Sequence, residues 1–308
     1  MLFFLKKRER LHLVGDNAVN IHPFALYLRH TITHKESTTR MKAMIFAAGL
    51  GTRLKPITDT LPKALVPVCG KPLLEHVARK LQAVGINEAV VNIHYFADKI
   101  EEWTKAQPWI TDDKKEAGNG KMLFEISDER AQLLETGGAV LHARRFLEGC
   151  GRFLIHNVDI LSNCDIKWFA SQVKEEAMAT LLVSERKTTR FLLFDPSNMQ
   201  LTGWLNTDTG DHHVTSPDIN PAECRALAFS GIHILSDKVP ALMEEYVKEK
   251  NLPIDAEKGT RFPIMSFYMW LAAKYPVYGV VAENLEFIDV GKLDALKPAE
   301  EFVQRDYK

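Results

Sequence analysis

Apolar runs that alternate with amphipathic segments organise the first half of the chain. Residues 43–48, 88–96 and 151–159 are largely apolar, which is typical of strands buried on both faces of a parallel sheet. Residues 72–84 carry apolar side chains at helical spacing, and Gly85 follows them in the position that commonly ends a helix. The order of strand, helix and strand predicts βαβ units.

The second half of the chain contains short apolar strands separated by turns. Between residues 178 and 235 this pattern predicts antiparallel strands added to the sheet. Further helices are predicted over residues 98–105, 139–147, 165–175, 237–249, 262–274 and 293–306, and further strands over residues 123–127 and 277–282. We therefore predict an α/β fold: a Rossmann-like, mainly parallel sheet flanked by helices, with added antiparallel strands.

Composition and charge narrow the classes of protein. The 308 residues are 46% hydrophobic and 26% charged, which provides a core for one large α/β domain or two small ones. The formal net charge of −1 gives no basic footprint, so we expect no nucleic-acid partner. Since no apolar run approaches the length of a membrane span, we expect no membrane partner either.

The distribution of cysteines and the first ten residues indicate the cellular compartment of the protein. The cysteines are scattered without metal-binding spacing, which is typical of free thiols in a reducing cytosol: Cys69, Cys150, Cys164 and Cys224. In residues 1–10 the apolar residues precede the charged ones, the reverse of a secretory signal. We predict a cytoplasmic protein.

Residues 1–40 differ from the rest of the chain. They mix basic and apolar residues without a sustained period, and a polar stretch leads into Met41. We predict that residues 1–40 are an N-terminal extension outside the core and that residues 41–308 form one catalytic domain.

A glycine-rich basic loop follows the first apolar run. Residues 49–53 read Gly-Leu-Gly-Thr-Arg, and a proline-punctuated segment then carries Lys63. A buried strand that ends in such a loop brings backbone N–H groups and positive charge against phosphates. Leu54 occupies the third glycine position of the dinucleotide fingerprint, which excludes that motif. Pro72 occupies the position at which the P-loop carries a hydroxyl, which excludes the P-loop. The loop predicts a different nucleoside triphosphate site.

Residues 49–72 match a long signature without a gap, G-x-G-T-R-L-x-P-x-T-x-x-x-P-K-x-L-x-P-V-x-G-K-P. In this segment the chain resembles the sugar-1-phosphate nucleotidyltransferases, or NDP-sugar pyrophosphorylases. The resemblance implies the nucleotide-diphospho-sugar transferase fold and two catalytic cations, Arg53 and Lys63. It also implies that the nucleotide is bound by Ala47, Gly49, Gly51 and Thr52. The alternative is an ordinary strand–loop–helix of an α/β core.

A second motif lies at residues 134–138, Leu-Glu-Thr-Gly-Gly. The resemblance implies that this loop faces the base, that Glu135, Thr136 and Gly137 bind the nucleotide, and that the glycines leave room for base and ribose. L-E-T-G-G is most similar to the N-acetylmuramate-1-phosphate uridylyltransferase branch, whereas mannose-1-phosphate guanylyltransferases more often carry L-G-T-A-G. Alternatively, Thr136 caps the following helix and the glycines ease a tight entry into it.

Two aspartates are candidate metal ligands. Asp159 ends the apolar run 151–159, and ligands collect at the carboxyl ends of strands in open parallel sheets. Asp289 lies in a segment similar to the family pattern W-x-D-V/T-G-T, with Phe287 replacing Trp and Lys292 replacing the final Thr. The resemblance implies that both aspartates bind Mg²⁺, and the two replacements bear on substrate contacts. Each aspartate has an alternative interpretation as an ordinary turn residue.

The acceptor side of the site is less strongly marked. The resemblance implies that Asn157 and Gly231 bind the sugar phosphate, because Gly231 lies in a Ser-Gly-Ile element where a sugar packs against main chain. The predicted strand at 178–185 is followed by a basic cluster, Arg186, Lys187 and Arg190. This cluster either contacts the sugar phosphate or its substituent, or is a solvent-exposed edge of the site.

These motifs predict a nucleotidyltransferase that joins a nucleoside triphosphate and a sugar-1-phosphate, giving an NDP-sugar and pyrophosphate, with Mg²⁺ as cofactor. UTP with a hexosamine-type sugar-1-phosphate, such as N-acetylmuramate-1-phosphate, is favoured. The alternatives are GTP with mannose-1-phosphate, CTP with a choline- or polyol-type phosphate, and a catalytically silent regulatory homologue. The oligomeric state stays open, a homo-oligomer included.

Overall fold

The computed structural model describes residues 41–307. Residues 1–40, the predicted extension, lie outside the described residues, so the division into extension and domain stays a prediction. The first half of the described chain alternates strands and helices as the apolar pattern predicts. Its elements are β1 Lys42–Phe46, β2 Pro67–Val68, β3 Lys71–Pro72, α1 Leu73–Ala83, β4 Glu88–Ile93, α2 Ala97–Ala106, β5 Ile110–Thr111, β6 Met122–Asp128, α3 Glu135–His142, α4 Arg144–Leu147 and β7 Arg152–Asn157.

The second half contains the predicted turn-separated strands. Its elements are β8 Ile160–Ser162, α5 Ile166–Ser171, β9 Ala179–Ser184, β10 Arg190–Phe194, β11 Leu201–Asn206, β12 His212–Val214, β13 Arg225–Ser236, α6 Val239–Glu249, α7 Ile264–Ala272, β14 Val277–Val281, β15 Phe287–Asp289 and α8 Leu296–Asp306. None of the helices within residues 41–307 combines the length and the apolar character that crossing a bilayer requires.

One large sheet forms the centre of residues 41–307. Its strands lie in the order β12-β11-β10-β13-β7-β1-β4-β6-β5, and β9 pairs with both β13 and β14. The strands from β7 to β5 in this order are parallel neighbours, whereas β10, β11, β12 and β13 form antiparallel pairs. The predicted fold class, a mainly parallel sheet flanked by helices with added antiparallel strands, is confirmed.

The central strands are buried on both faces, as their apolar runs predict. Along β1, Ala43 and Ile45 pack into one apolar core, and Met44 between them packs into a second core on the opposite face. β7 repeats the alternation, with Leu154 in the first core and Phe153 in the second. Because successive side chains of a strand point to opposite faces, a strand covered on both sides needs apolar residues at consecutive positions.

The parallel strands bring their carboxyl ends to one edge of the sheet. Phe46, the last residue of β1, pairs with Asn157, the last residue of β7. The loops that follow these two strands therefore start side by side. This edge carries the glycine-rich basic loop and Asp159, and ligands of open α/β sheets bind at such an edge.

Candidate active site

A cleft of about 390 Å³ opens at this edge of the sheet. Its walls come from the loop after β1, the loop after β7 and the segment around the start of α3. The residues that line it are Phe46, Ala48, Gly49, Lys63, Asn92, Leu133, Glu135, Thr136, Asn157, Val158, Asp159 and Pro263. The predicted site residues among them are Gly49, Lys63, Glu135, Thr136, Asn157 and Asp159.

Gly51 shapes the loop that follows β1. Its φ of 64° lies in the left-handed region, which favours glycine. A Cβ at this position would lie 2.9 Å from Thr58 Cγ2 and 3.1 Å from Lys63 Cβ. The Thr58 hydroxyl donates a hydrogen bond to the Gly51 carbonyl oxygen at 2.8 Å and closes the loop. Both conformation and space therefore require glycine, and the tight loop directs Lys63 toward the end of β7.

Lys63 is the cation inside the cleft. Only 9% of its surface is exposed, and its ammonium group forms an ion pair with the carboxylate of Asp159. A buried charge is costly unless it is paired, so each of the two groups stabilises the other in the folded protein. The pair joins the loop after β1 to the end of β7.

Asp289 is brought to Asp159 by a short antiparallel strand pair. β15 pairs with β8 so that Asp289 lies opposite Ile160, and the Val290 N–H donates to the Asp159 carbonyl oxygen at 2.8 Å. Desolvation by the surrounding protein raises the pKa of Asp289, and the Asp159 carboxylate raises it further, while the neighbouring cations lower it. The two carboxylates are therefore close enough to repel each other.

Arg53 reaches the same place from the loop after β1. It lies with Thr52 in a 3₁₀ turn, and both side chains are exposed. A Cβ at Gly291 would lie 2.8 Å from Arg53 Nη2 and 2.7 Å from Asp289 Oδ1, so the guanidinium and the carboxylate flank this glycine. The structure thus brings together the charged residues that the motifs single out: Arg53, Lys63, Asp159 and Asp289.

The paired aspartates fit a small divalent cation whose coordination is completed by substrate. Within residues 41–307, no group of three or more His, Cys, Asp and Glu side chains is arranged to hold a metal ion. Mg²⁺ is usually bound by one or two carboxylates together with phosphate oxygens and waters, so a third protein ligand is not required. Asp159 and Asp289 are oxygen donors of this type, and a cation between them would relieve the repulsion that, after desolvation, raises the pKa of Asp289.

The structure corrects the predicted geometry of the Leu-Glu-Thr-Gly-Gly motif. α3 begins at Glu135, so the motif forms the first turn of the helix and not a loop before it. The Thr136 hydroxyl accepts a hydrogen bond from the Ile264 N–H at 3.0 Å and therefore caps α7, not its own helix. Glu135 and Thr136 both line the cleft, and Glu135 forms an ion pair with Arg261 at 2.7 Å.

The two glycines of this motif serve close packing. A Cβ at Gly137 would lie 2.4 Å from Phe262 Cε2, and a Cβ at Gly138 would lie 2.1 Å from the Thr260 carbonyl oxygen. Both glycine N–H groups donate to the Phe262 carbonyl oxygen, at 2.9 and 3.1 Å. The prediction that these glycines leave room for base and ribose is wrong, because the segment before α7 fills that space. Gly137 as a nucleotide-binding residue stays a prediction.

Asn157 lines the cleft, and Gly231 lies beside it. Gly231 has a φ of 78°, and a Cβ there would lie 2.8 Å from Asn157 Nδ2 and 3.3 Å from Ile160 Cγ1. Only glycine lets β13 approach the end of β7 this closely. The two residues predicted to meet the sugar phosphate are therefore neighbours.

Asn92 and Glu129 were not predicted as site residues, yet they connect both sides of the cleft. The Ala47 N–H donates to Asn92 Oδ1 at 2.8 Å, and Asn92 Nδ2 donates to Glu129 Oε1 at 2.7 Å. Glu129 Oε2 accepts from the Leu134 N–H at 3.2 Å, directly before α3. The Ala47 N–H is thus satisfied within the protein. The sequence signal for this network was Asn92, a polar residue inside the apolar run 88–96, since a buried polar side chain needs hydrogen-bond partners.

Glu129 makes the stability of the fold depend on pH. Its side chain is 2% exposed, and burial raises its pKa from 4.5 to about 7 against the opposing hydrogen bonds from Asn92 and Leu134. Between these two values the folded chain binds more protons than the unfolded chain, so the free energy of unfolding falls as the pH rises through this window. We expect this group to remove on the order of 3 kcal/mol between pH 4.5 and pH 8.

Urea unfolding at pH 5 and pH 8 measures this contribution in the wild type and in Glu129→Gln. The variant cannot ionise, so the decrease in unfolding free energy that Glu129 contributes between the two pH values should be absent from it. Glu102→Gln, an exposed glutamate on α2, is the control and should keep the wild-type difference. Equal pH dependence in Glu129→Gln and the wild type would show that Glu129 does not titrate in this range.

Comparison with known proteins agrees with this fold. Residues 42–200 match the family described as Nucleotidyl transferase. The chain is 34% identical to N-acetylmuramate alpha-1-phosphate uridylyltransferase of Caulobacter vibrioides, over 84% of this chain and 95% of that relative. It is 25% identical to the mannose-1-phosphate guanylyltransferase catalytic subunit beta of Xenopus tropicalis, over 77% of this chain and 62% of that relative. The solved structure of UDP-glucose pyrophosphorylase complexed with UDP-glucose has a TM-score of 0.63 at 18% identity, covering 86% of this chain and 99% of that one.

These comparisons identify the class of enzyme as the sugar-1-phosphate nucleotidyltransferases. The chain belongs to the nucleotidyl transferase family. The resemblance carried by residues 49–72 is therefore confirmed, together with the class of reaction that it implies.

Proposed function

We propose that this enzyme transfers the uridylyl group of UTP to a hexosamine-type sugar-1-phosphate, with N-acetylmuramate 1-phosphate as the acceptor. The products are the UDP-sugar, a precursor for cell-wall or polysaccharide synthesis, and pyrophosphate. The observation that carries the reaction type is the convergence of two cations and two carboxylates, Arg53, Lys63, Asp159 and Asp289, at one cleft. The choice of substrates is supported by the relative named for this acceptor and by the Leu-Glu-Thr-Gly-Gly motif beside the cleft.

The chemistry is a single displacement between two anions. An oxygen of the sugar 1-phosphate attacks the α-phosphorus of the triphosphate, the bond from that phosphorus to the bridging oxygen breaks, and pyrophosphate leaves. Charge repulsion and alignment are the main obstacles, so catalysis depends on fixed positive charge and positioning. No covalent intermediate with the protein is needed.

The chain supplies positive charge at two points of the reaction. Lys63, held in the cleft by Asp159, stabilises charge on the transferring α-phosphoryl group and on the incoming sugar phosphate. Arg53, on the exposed turn, stabilises the charge that develops on the leaving pyrophosphate. Asp159 and Asp289 would hold Mg²⁺, and the bound ion would supply further positive charge to the reacting phosphates.

The remaining cleft residues bind and orient the two substrates. Gly49, Gly51 and Thr52 present the loop backbone to the triphosphate. Glu135 and Thr136 form the base side, at the first turn of α3. The sugar packs against the side chain of Asn157 and the adjoining backbone of Gly231.

Pyrophosphate release by the purified full-length chain with MgCl₂ tests this proposal across UTP, GTP and CTP. Each triphosphate is combined with N-acetylmuramate 1-phosphate, N-acetylglucosamine 1-phosphate, mannose 1-phosphate and phosphocholine. We expect the highest kcat/KM for UTP with N-acetylmuramate 1-phosphate. A higher value for GTP with mannose 1-phosphate, or for CTP with phosphocholine, would replace the proposed substrates and keep the class.

A catalytically silent homologue is distinguished by a second measurement. An active enzyme exchanges labelled pyrophosphate into its triphosphate in the presence of the NDP-sugar and Mg²⁺, because the displacement is reversible. The absence of exchange with every base would contradict an enzymatic role. The oligomeric state and the expected absence of nucleic-acid and membrane partners stay predictions.

A further inference from the structure

Arg186 lies at the same edge of the sheet as the cleft, yet the reaction described above does not use it. β7 and β9 both pair with β13, and Ile155 of β7 and Leu181 of β9 pair with the same residue, His233. The chain after β9 therefore leaves the sheet at about the level at which β7 ends. This places the segment that carries Arg186 on the same edge as Asp159.

Two contacts hold the Arg186 guanidinium on the acceptor wall, by which we mean the segments that carry Asn157 and Gly231. Nη2 donates to the Phe229 carbonyl oxygen at 3.2 Å, and Cζ lies 4.7 Å from the centroid of the Phe287 ring. Phe229 precedes the strand segment that carries Gly231, and Phe287 lies in the short strand that ends at Asp289. A guanidinium stacked on an aromatic ring and bonded to a carbonyl oxygen keeps a defined orientation. Arg186 is thus a positioned charge between the acceptor wall and the short strand that ends at Asp289.

Within residues 41–307 this charge has no carboxylate partner at ion-pair distance. The adjacent Glu185 pairs with Arg225 at 2.6 Å and leaves Arg186 to the Phe229 carbonyl oxygen and the Phe287 ring. A guanidinium has five N–H donors, and the contact to Phe229 uses one of them. Arg186 therefore has donors left for a ligand that enters the cleft from the acceptor side.

The acceptor's 1-phosphate does not require this arginine. Lys63 already lies where the two phosphates must meet, and a cation held by Asp159 and Asp289 would lie there as well. A further fixed positive charge on the sugar side is better explained by a second negative group on the acceptor. Guanidinium groups match carboxylates through two parallel hydrogen bonds, which gives both energy and orientation.

We propose that Arg186 binds an acidic substituent on the sugar ring and selects acceptors that carry a carboxylate in addition to the 1-phosphate. This inference rests on the proposed function. N-acetylmuramate 1-phosphate carries such a carboxylate on its lactyl ether, whereas N-acetylglucosamine 1-phosphate has a neutral hydroxyl at the same position. Phe287, at the position of the family's tryptophan, then has a role in this site, because its ring supports the Arg186 guanidinium.

The test compares kcat/KM for these two acceptors at saturating UTP and MgCl₂. We expect Arg186→Gln to lower kcat/KM for N-acetylmuramate 1-phosphate by about 10- to 100-fold, the range for a lost hydrogen bond to a charged group. The value for N-acetylglucosamine 1-phosphate should stay within about threefold. Arg186→Lys keeps the charge without the planar fork, so an intermediate loss is expected. Lys187→Gln removes the same charge from the neighbouring exposed position and should leave both values unchanged.

Other results of this comparison would contradict either the role of Arg186 or the proposed function. Equal losses with both acceptors would overturn the inference, because Arg186 would then act on a part that the acceptors share. A wild type that does not discriminate between the acceptors would overturn it as well and leave the uridylyltransferase intact. A wild type without activity on any combination would overturn the proposed function itself. Melting temperature and UTP binding, measured for every variant, should match the wild type, since Arg186 lies on the acceptor wall.

Discussion

Lys63→Met is expected to lower kcat by about 100- to 1,000-fold, the effect of removing one preorganised charge-stabilising group, or about 3–4 kcal/mol. The reason is the position of the ammonium group: it lies inside the cleft, 9% exposed, and is paired with Asp159. Water cannot replace a fixed charge there at no cost, because its dipoles must reorganise as the phosphoryl group transfers. The measurement is pyrophosphate release at saturating UTP, acceptor and MgCl₂.

Lys55→Met is the matched control for this variant. Lys55 lies on the same loop, but its ammonium group is exposed and pairs with Asp59 at 3.0 Å, so little effect on turnover is expected. Lys63→Met also leaves Asp159 without its ion-pair partner, so the free energy of unfolding should fall by about 1–3 kcal/mol. Assays are therefore run well below the melting temperature of the variant. Turnover within a few-fold of the wild type would remove Lys63 from the mechanism.

The parts of the site that depend on neighbouring residues in sequence were predicted best. The loop from Gly49 to Lys63 is held by contacts within itself, such as the Thr58 hydroxyl on the Gly51 carbonyl oxygen. Its residue types therefore report directly on its local conformation. The alternating cores on the two faces of β1 follow in the same way from a continuous apolar run.

Contacts between distant segments could not be predicted from the spacing and periodicity of residues in the sequence. Asp289 lies beside Asp159 only because β8 and β15, each a short strand, pair with each other. The family resemblance implied that these two aspartates act together, whereas the hydrophobic pattern of the sequence did not. Gly137 was recognised as a special residue for the wrong reason, since Phe262 and not a ligand occupies the space beside it. A glycine in a sequence indicates close approach without naming what approaches.

The polar network behind the cleft was missed for a related reason. Glu129 follows a strand and is flanked by charged residues, a pattern that usually indicates a solvent-exposed turn. In the structure it is buried, because Asn92 and the Leu134 N–H provide hydrogen bonds that offset its desolvation. Arg186 was predicted only as one member of a basic cluster with two open interpretations, since its aromatic neighbour Phe287 comes from a distant part of the chain.

Asp289→Asn is expected to abolish most turnover while keeping the protein folded. In the wild type, desolvation and the Asp159 carboxylate raise the pKa of Asp289, so its ionised form is disfavoured in the folded chain. A neutral amide removes that repulsion, and the free energy of unfolding without Mg²⁺ should be equal to or higher than that of the wild type at neutral pH. Turnover should fall by about 100-fold or more, because an amide is a weaker ligand for a hard divalent cation than a carboxylate.

Opposite changes in stability and activity separate a metal-binding role from a structural one. Urea unfolding without Mg²⁺ measures the stability, and pyrophosphate release over a series of MgCl₂ concentrations measures the activity. For Asp289→Asn the half-saturating Mg²⁺ concentration should rise, whereas Asp294→Asn, which removes an exposed carboxylate a few residues further along, should leave it unchanged. A loss of stability together with an unchanged Mg²⁺ requirement would assign Asp289 to the fold. The expected result instead means that the chain keeps two repelling carboxylates together at a cost in stability, because that repulsion is what favours a cation between them.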